Sequence, residues 1–148
     1  MVCNLCLLLA ATAMGAAPEE TSSDFLDYGP AYRAAQESHR PLLVILNPGP
    51  TTDESSVKPQ DIRKARVRRE LLKEYHVVVV DTSTEAGRKV HVVFGSPPLP
   101  YVSVIDKQQQ YQLYRSSKPH TAEDWNLVLE KYKSGILEVA KSAAACFT

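Results

Sequence analysis

The stretch from Leu99 to Asp106 limits the possible folds of this chain more than any other segment. It reads Leu-Pro-Tyr-Val-Ser-Val-Ile-Asp, an apolar run that Pro100 opens and an acid closes. Proline lacks the N–H that a central strand must donate, so within a sheet it is tolerated at the first position of a strand. The side chains from Tyr101 to Ile105 then point alternately to the two faces of a sheet. The stretch therefore predicts a strand that starts at this proline and lines both faces.

Two further apolar runs, Leu42–Leu46 and His76–Asp81, predict strands that are covered on both faces. Neither run alternates between apolar and polar residues, as is typical of the buried strands of α/β proteins. A polar turn at 106–110 joins the proline strand to a returning strand at Tyr111–Arg115, which predicts an antiparallel hairpin at a sheet edge. Together these runs predict a mixed sheet of about four strands.

Helical patterns occupy the segments between the strands. Pro59 suits the first turn of a helix that runs to about Tyr75 and presents Val67, Leu71 and Tyr75 on one face. Thr121 and Asp124 have the spacing of a partial capping box at the start of the last helix. The four predicted helices lie within residues 24–39, 59–75, 82–94 and 121–135.

Two segments resemble thioredoxin-like domains. Residues 100–106 resemble the cis-proline strand of that family, and Tyr32–Val44 is similar to the helix, basic residue, proline and strand that open many of its exported members. The predicted order of helices and strands is also that of the thioredoxin fold. The resemblance covers residues 24–135 and implies a three-layer α/β/α sandwich with a cis proline before the third strand.

The redox chemistry of that family requires a thiolate at the N-terminus of the helix after the first strand, with a second cysteine one turn away. Residues 47–58 occupy this place and contain no cysteine. The acid that the family's redox members bury in the first strand is also missing, since Leu42–Leu46 is entirely aliphatic. We therefore expect no dithiol–disulfide exchange. The alternative is a related oxidoreductase that acts through Cys146 or a partner's thiol, and a third possibility is a structural spacer.

The resemblance also implies a binding site, because the family's cis-proline loop pairs with an extended substrate segment by strand addition. Here the groove would comprise Leu99, Pro100 and Tyr101, and we expect Tyr101 to narrow it. The opposite wall would comprise Asn47, Pro48, Gly49, Pro50 and Thr51. A protein or peptide is therefore the expected partner.

Other kinds of site find little support in the sequence. Basic and acidic residues number 17 each, so net charge favours neither nucleic acid nor an anionic membrane as partner, and we interpret the basic residues of 63–73 as a solvated face. Asp81 and Asp106 end neighbouring strands and could meet at one sheet edge, although we interpret them as turn caps. No metal site and no cofactor is predicted, because the histidines show no pair at ligand spacing: His39, His76, His91 and His120.

The ends of the chain differ in composition from the middle. Residues 1–18 combine an apolar stretch with small residues at a possible cleavage site, which predicts a signal peptide, although no Lys or Arg precedes the stretch. An N-terminal extension is the alternative. Residues 19–23 are a polar linker, 24–135 the domain, and 136–148 a helical extension or tail. A cleaved signal implies an exported protein, periplasmic or extracellular, without a membrane partner; otherwise the protein is cytoplasmic.

Overall fold

A computed structural model describes residues 24–138 of the chain. Within this part the elements follow the order that the sequence predicts, with one predicted helix in two pieces. The strands are β1 (Leu42–Asn47), β2 (His76–Asp81), β3 (Tyr101–Ile105) and β4 (Gln112–Ser116). The helices are α1 (Tyr28–Ser38), α2 (Pro59–Ile62), α3 (Arg66–Leu72), α4 (Glu85–Val93) and α5 (Ala122–Tyr132).

The strands form the predicted mixed sheet, and their order across it is β2-β1-β3-β4. β1 and β2 are parallel, with Leu42 opposite His76, whereas β3 is antiparallel to both β1 and β4. Parallel neighbours need a long crossover, which α2 and α3 provide, while the short turn after Ile105 suits an antiparallel pair. Phe25 adds an isolated parallel bridge to Val78 on the free side of β2.

The sheet separates two core layers, which confirms the predicted three-layer arrangement. β1 is buried along its whole length, and alternate residues of β1 and β3 point to opposite layers. α1 and α4 cover one layer, which we call the α1/α4 layer, and α2, α3 and α5 cover the other, the α3/α5 layer. The α1/α4 layer contains Leu42, Val44, Leu46, Tyr101 and Ile105, and the α3/α5 layer contains Leu43, Ile45, Val102 and Val104.

Side-chain caps fix the ends of the long helices. The Asp27 carboxylate accepts a hydrogen bond from the Gly29 N–H at 3.2 Å, so α1 begins at Tyr28 rather than within the preceding residues. At the start of α5, the Asp124 N–H donates to Thr121 Oγ1 at 3.2 Å, and the Thr121 N–H donates to Asp124 Oδ2 at 2.8 Å. The capping box predicted from the sequence is therefore complete.

The continuous helix predicted for residues 59–75 is wrong. The chain leaves helical geometry at Ala65, where ψ is 137°, and this break separates α2 from α3. A break exposes backbone carbonyls that would otherwise accept intrahelical hydrogen bonds. Two arginines of α3 supply donors: Arg68 Nε donates to the Ile62 carbonyl at 2.6 Å, and Arg69 Nη1 donates to the Arg63 carbonyl at 3.2 Å.

The break also changes which face of α3 is buried. Val67, predicted to face the core, is 62% exposed, whereas Arg68 is only 9% exposed and packs inward with Leu72. The interpretation of every basic residue of 63–73 as solvated is therefore wrong for Arg68. A helical pattern extended through 63–65 gives α3 the wrong rotation relative to the core, which accounts for both differences.

Several expectations fall on residues that the structure does not describe. The predicted signal peptide (1–18), the linker (19–23) and residues 139–148 of the predicted tail lie outside the described part. α5 ends at Tyr132, so residues 136–138 do not prolong it. Among the helices of residues 24–138, none has the length and apolar character needed to cross a membrane.

Candidate functional site

The loop after β1 is held closed by one buried amide. Asn47 is fully buried at the end of the strand. Its Nδ2 donates to the Val57 carbonyl at 3.0 Å, and its Oδ1 accepts from the Val57 N–H at 2.8 Å. Its own carbonyl accepts from the Thr82 N–H at 3.0 Å, so the side chain and the backbone tie three segments together. The two ends of the loop 48–56 are therefore held together beside the carboxyl ends of β1 and β2.

Short polar contacts order the interior of this loop. Ser56 Oγ donates to the Gly49 carbonyl at 3.3 Å, and the Asp53 carboxylate accepts from both the N–H and the hydroxyl of Ser55. The hydrogen bond from the Ser55 backbone is the main reason that the pKa of Asp53 lies below its usual value. Like the rest of residues 24–138, the loop contains no cysteine. Its polar side chains within this described part carry hydroxyl or carboxylate groups.

The Leu99–Pro100 peptide bond is cis. Leu99 packs its side chain against the α1/α4 layer, whereas Pro100 lines a cavity on the opposite side of the sheet. Among residues 24–138, no hydrogen bond involves the backbone N–H or carbonyl of Leu99. The half-buried backbone just before β3 therefore has hydrogen-bonding capacity that the described chain does not use.

Tyr101 does not narrow the groove, so that expectation is wrong. Its side chain lies in the α1/α4 layer, where the ring meets Phe94 at a centroid distance of 6.1 Å and the hydroxyl donates to Gln112 Oε1 at 2.9 Å. The residue is 5% exposed, and burial raises the pKa of its hydroxyl. Because side chains alternate along a strand, a residue at the first position of β3 points away from the cavity that Pro100 lines.

The cavity beside Pro100 has a volume of about 630 Å³ and is open to solvent. Four parts of the chain build it: the end of the β1 loop with α2 and the residues just after it, one residue of α3, the proline before β3, and the start of α5 with the residues before it. Its lining on the loop and helix side comprises Ser55, Ser56, Val57, Lys58, Asp61, Ile62, Lys64 and Arg68. The remaining lining comprises Pro100, Pro119, His120, Ala122 and Trp125.

Aromatic rings form an ordered stack along one wall of the cavity. His120 lies on Trp125 with a centroid distance of 4.5 Å and an interplanar angle of 26°. The Tyr114 hydroxyl is 2.8 Å from His120 Nε2. Burial lowers the pKa of His120, and the negative charge of Asp124 opposes this effect only in part. The wall is therefore predominantly a neutral aromatic surface at pH 7.

Arg68 contributes a buried positive charge to the same cavity. Besides its bond to the Ile62 carbonyl, its Nη1 lies 3.3 Å from both the Ala122 carbonyl and Asn126 Oδ1. All three acceptors are neutral, and within residues 24–138 no carboxylate forms an ion pair with this guanidinium. Arg68 thus connects α2, α3 and α5 while it lines the cavity.

The residues predicted for the groove take different positions. Pro100 lines the cavity, but the five residues of the predicted opposite wall, Asn47 to Thr51, do not. Asn47 and Gly49 support the lining from behind through their bonds to Val57 and Ser56. Whether any of these residues binds a partner stays a prediction.

Sequence reasoning missed the larger part of the cavity wall. No pattern in the sequence assigns Trp125 or His120 to a site, and Trp125 also packs in the α3/α5 layer. No local pattern identifies Arg68, because its partners lie on α2 and α5. The segment before Thr121 offered one signal, namely a histidine and a proline directly ahead of a capping box.

Asp81 and Asp106 lie at opposite ends of the sheet, so the expectation that they could meet at one edge is wrong. β2 runs parallel to β1 but β3 runs antiparallel to it, which places their final residues apart. Each caps a turn, as interpreted: Asp81 Oδ1 accepts from the Ser83 N–H at 2.8 Å, and Asp106 Oδ1 accepts from the Tyr111 N–H at 2.7 Å. Within residues 24–138 no group of three His, Cys, Asp or Glu side chains is placed to hold a metal ion.

Comparison with known proteins identifies the architecture. No protein-family model matches the sequence, and no curated protein matches it significantly. A thioredoxin from Thermus thermophilus has a similar structure, with a TM-score of 0.56, 19% identity, and coverage of 78% of this chain and 92% of the other. A disulphide isomerase from Xylella fastidiosa Temecula1 gives a TM-score of 0.53 at 16% identity, covering 70% of this chain and 86% of its own.

Thioredoxin O2 from Arabidopsis thaliana, in its oxidized state, gives a TM-score of 0.51 at 12% identity, with coverage of 74% of this chain and 94% of the other. At such low identity these similarities concern the path of the chain and not its chemistry. Together with the four-stranded mixed sheet between two helical layers, they show that this chain has a thioredoxin-like fold.

Proposed function

We propose that this domain binds an extended segment of a protein or peptide in the groove beside Pro100, and that it performs no dithiol–disulfide exchange. The observation that most supports binding is the cavity of about 630 Å³ that Pro100 and Trp125 both line. A partly apolar concavity with a few polar groups is typical of binding sites. If residues 1–18 act as the predicted targeting segment, the partner is an exported protein.

The backbone of Leu99 supports a strand-addition mode of binding. Its N–H and carbonyl are not used by any other group within residues 24–138. An extended peptide that pairs with them would gain main-chain hydrogen bonds that do not depend on its sequence. Side chains of the same peptide would then reach Pro100 and Trp125, so that the backbone provides affinity and the cavity provides selectivity.

The absence of exchange activity is proposed from the loop 48–56. A thiolate must attack the substrate disulfide and a second thiol must resolve the mixed disulfide. The chain has three cysteines, Cys3, Cys6 and Cys146, all outside the described residues and far along the sequence from this loop. Ser55, Ser56 and Asp53 cannot replace a thiolate in this reaction, because they form no disulfide.

Binding is tested by screening a peptide array with the purified chain and then with a Pro100→Ala variant. We expect a subset of peptides to bind, and binding to fall strongly in the variant, because Pro100 lines the groove. Pro98→Ala is the matched control, since Pro98 lies in the same turn, is exposed and does not line the cavity. Binding that is identical in Pro100→Ala and wild type, with both folded by circular dichroism, contradicts the proposal.

The redox part is tested by the reduction of insulin with dithiothreitol as electron donor. We expect the rate with the protein to equal the rate of the blank. Turnover above the blank contradicts the proposal. If that turnover disappears in Cys146→Ser, the alternative of an oxidoreductase that acts through a non-standard cysteine is correct instead.

A further inference from the structure

We infer that the groove selects acidic segments: a side-chain carboxylate of the bound peptide pairs with Arg68 and Lys58, beside an apolar side chain packed on Trp125. This inference rests on the proposed function and adds the chemical class of the ligand. Three features support it, namely the unpaired buried guanidinium, the excess of positive charge in the cavity and the aromatic surface next to that charge.

The guanidinium of Arg68 is the first feature. Arginine is rarely buried to this degree unless a carboxylate accompanies it, because a buried charge without a counter-charge is unfavourable. Arg68 is 9% exposed, and within residues 24–138 it donates only to neutral oxygens, those of Ile62, Ala122 and Asn126. An incoming carboxylate would supply the missing negative charge, and such charge-assisted hydrogen bonds are stronger than neutral ones.

The balance of charge in the cavity is the second feature. Among the described residues, three cationic side chains line it, but only one carboxylate, Asp61. That carboxylate is 2.7 Å from Lys64 Nζ, and a hydrogen bond from Lys64 is the main reason that its pKa is lowered. Lys58 attracts Asp53 and Asp61 at longer range but forms no ion pair within residues 24–138. Arg68 and Lys58 therefore remain available to a ligand.

The third feature is the surface beside these charges. Trp125 and Ile62 are 7% and 3% exposed, so only small parts of them form the apolar floor, together with Pro100. Of the two acids in the first turn of α5, Asp124 is engaged in the capping box with Thr121, and neither it nor Glu123 lines the cavity. A peptide with an aliphatic or aromatic residue next to an acidic one matches this combination better than a uniformly charged ligand does.

Fluorescence of Trp125, the one tryptophan of the chain, reports directly on this cavity. The probes are two sets of acetylated, amidated hexapeptides in which one glutamate lies between two leucines, or one glutamine lies in the same place. Because both sets lack free ends, only the side-chain carboxylate differs. We expect glutamate peptides to bind about tenfold more tightly than glutamine peptides, and the difference to decrease at high salt.

Variants locate the carboxylate. In Lys58→Gln we expect the glutamate preference to fall to about threefold, and in Arg68→Met to disappear. Arg68→Met can also destabilise the fold, so Lys58→Gln provides the test that does not depend on the α2–α3 contact. Lys89→Gln is the control, since it also removes one lysine charge, but from α4 in the other layer, and it should keep the wild-type preference.

The outcomes separate the two proposals. Equal binding of both peptide sets in the wild type overturns the acidic preference but leaves peptide binding intact. No binding of either set, with Pro100→Ala and wild type alike inert on the array, overturns the proposed function. Tighter binding of a single-stranded oligonucleotide than of the glutamate peptides assigns the cations to phosphate and overturns the peptide carboxylate.

Discussion

At the scale of single residues, the site depends on polar side chains that replace missing backbone partners. Asn47 gives Val57 the two hydrogen bonds that a neighbouring strand would give, and Arg68 gives the Ile62 carbonyl the donor that a continuous helix would give. Such groups are costly to remove, because the partner that remains is buried without a hydrogen bond. Substitution of either side chain should therefore lower the unfolding free energy by more than its number of contacts suggests.

Substitution of Asn47 by alanine should destabilise the fold by about 1–3 kcal/mol, because the N–H and carbonyl of Val57 both lose their partner. The measurement is urea unfolding of wild type and variant. Gln60→Ala, exposed on α2, is the comparison and should change the unfolding free energy by less than about 0.5 kcal/mol. Similar stability of the two variants would show that the amide does not hold the loop.

His120 should make the protein less stable in mild acid. Burial lowers the pKa of this side chain in the folded state below its ordinary value of 6.5, so the unfolded chain binds the proton more readily. Stability is then full above about pH 6.5 and falls as the pH decreases through that value toward the lower, folded pKa. The nearby charge of Asp124 and a hydrogen bond to the Lys118 backbone reduce this effect.

The check is the unfolding free energy at pH 7 and pH 5 for wild type and His120→Asn. The variant loses the stacking on Trp125 at both pH values, so its absolute unfolding free energy does not show whether protonation of His120 lowers stability. We expect the difference between the two pH values to be smaller in the variant. A difference equal to that of the wild type would exclude His120 as its source.

At the scale of elements, close contacts between helix and sheet set the limits on substitution. α4 packs so closely on the end of β2 that a Cβ added at Gly87 would lie 1.9 Å from the Asp81 carbonyl oxygen. Gly29 in α1 is different, since its Cβ would meet nothing nearer than 3.8 Å. The close contact between α4 and β2 therefore requires glycine at position 87, whereas α1 has room for a side chain at position 29.

Gly87→Ala should destabilise the protein by at least about 2 kcal/mol, since α4 must move away from the sheet. Gly29→Ala should be neutral or stabilising by up to about 1 kcal/mol, because alanine favours the helix and fits the space. Thermal unfolding of both variants is the measurement. A Gly87→Ala protein as stable as wild type would mean that α4 can shift without loss.

The elements also show what a single sequence can and cannot predict. The strands and α5 follow from local features, namely uninterrupted apolar runs, Pro100 and the pair of Thr121 and Asp124. The break at Ala65 does not, because it is stabilised by side chains further along the chain, above all Arg68. A prediction based on the apolar pattern continues the helix through Ala65 and therefore assigns the wrong face of α3 to the core.

At the scale of the whole molecule, the candidate cavity exists only once the chain is folded. Lys58, Arg68, Pro100 and Trp125 come from the start of α2, from α3, from the turn before β3 and from α5, and no spacing rule connects them. The sequence could therefore indicate the position of the cis proline through a local resemblance. The charged and aromatic residues of the cavity wall could be identified only from the tertiary structure. The same reasoning applies to Asp81 and Asp106, whose separation follows from strand direction.

The domain boundary can be tested with two fragments. Residues 24–138 contain both core layers, so this fragment should unfold cooperatively, with a midpoint in urea close to that of the full chain. A fragment of residues 27–138 keeps the Asp27 cap of α1 but lacks Phe25, whose N–H donates to the Val77 carbonyl at 2.8 Å, and Asp24, which pairs with Arg63. Its stability should be lower by about 2 kcal/mol or more. Equal midpoints for the two fragments would place the boundary after Phe25.

The clamp formed by Asn47 has a consequence for engineering. Because that amide fixes the two ends of residues 48–56 to each other, we expect the strand before them and the helix after them to tolerate changes in the exposed residues between. Foreign sequence inserted near the exposed Thr52 would be displayed next to the cavity on a rigid base. The fold thus offers a grafting position at which new recognition loops could be installed without redesign of the sheet.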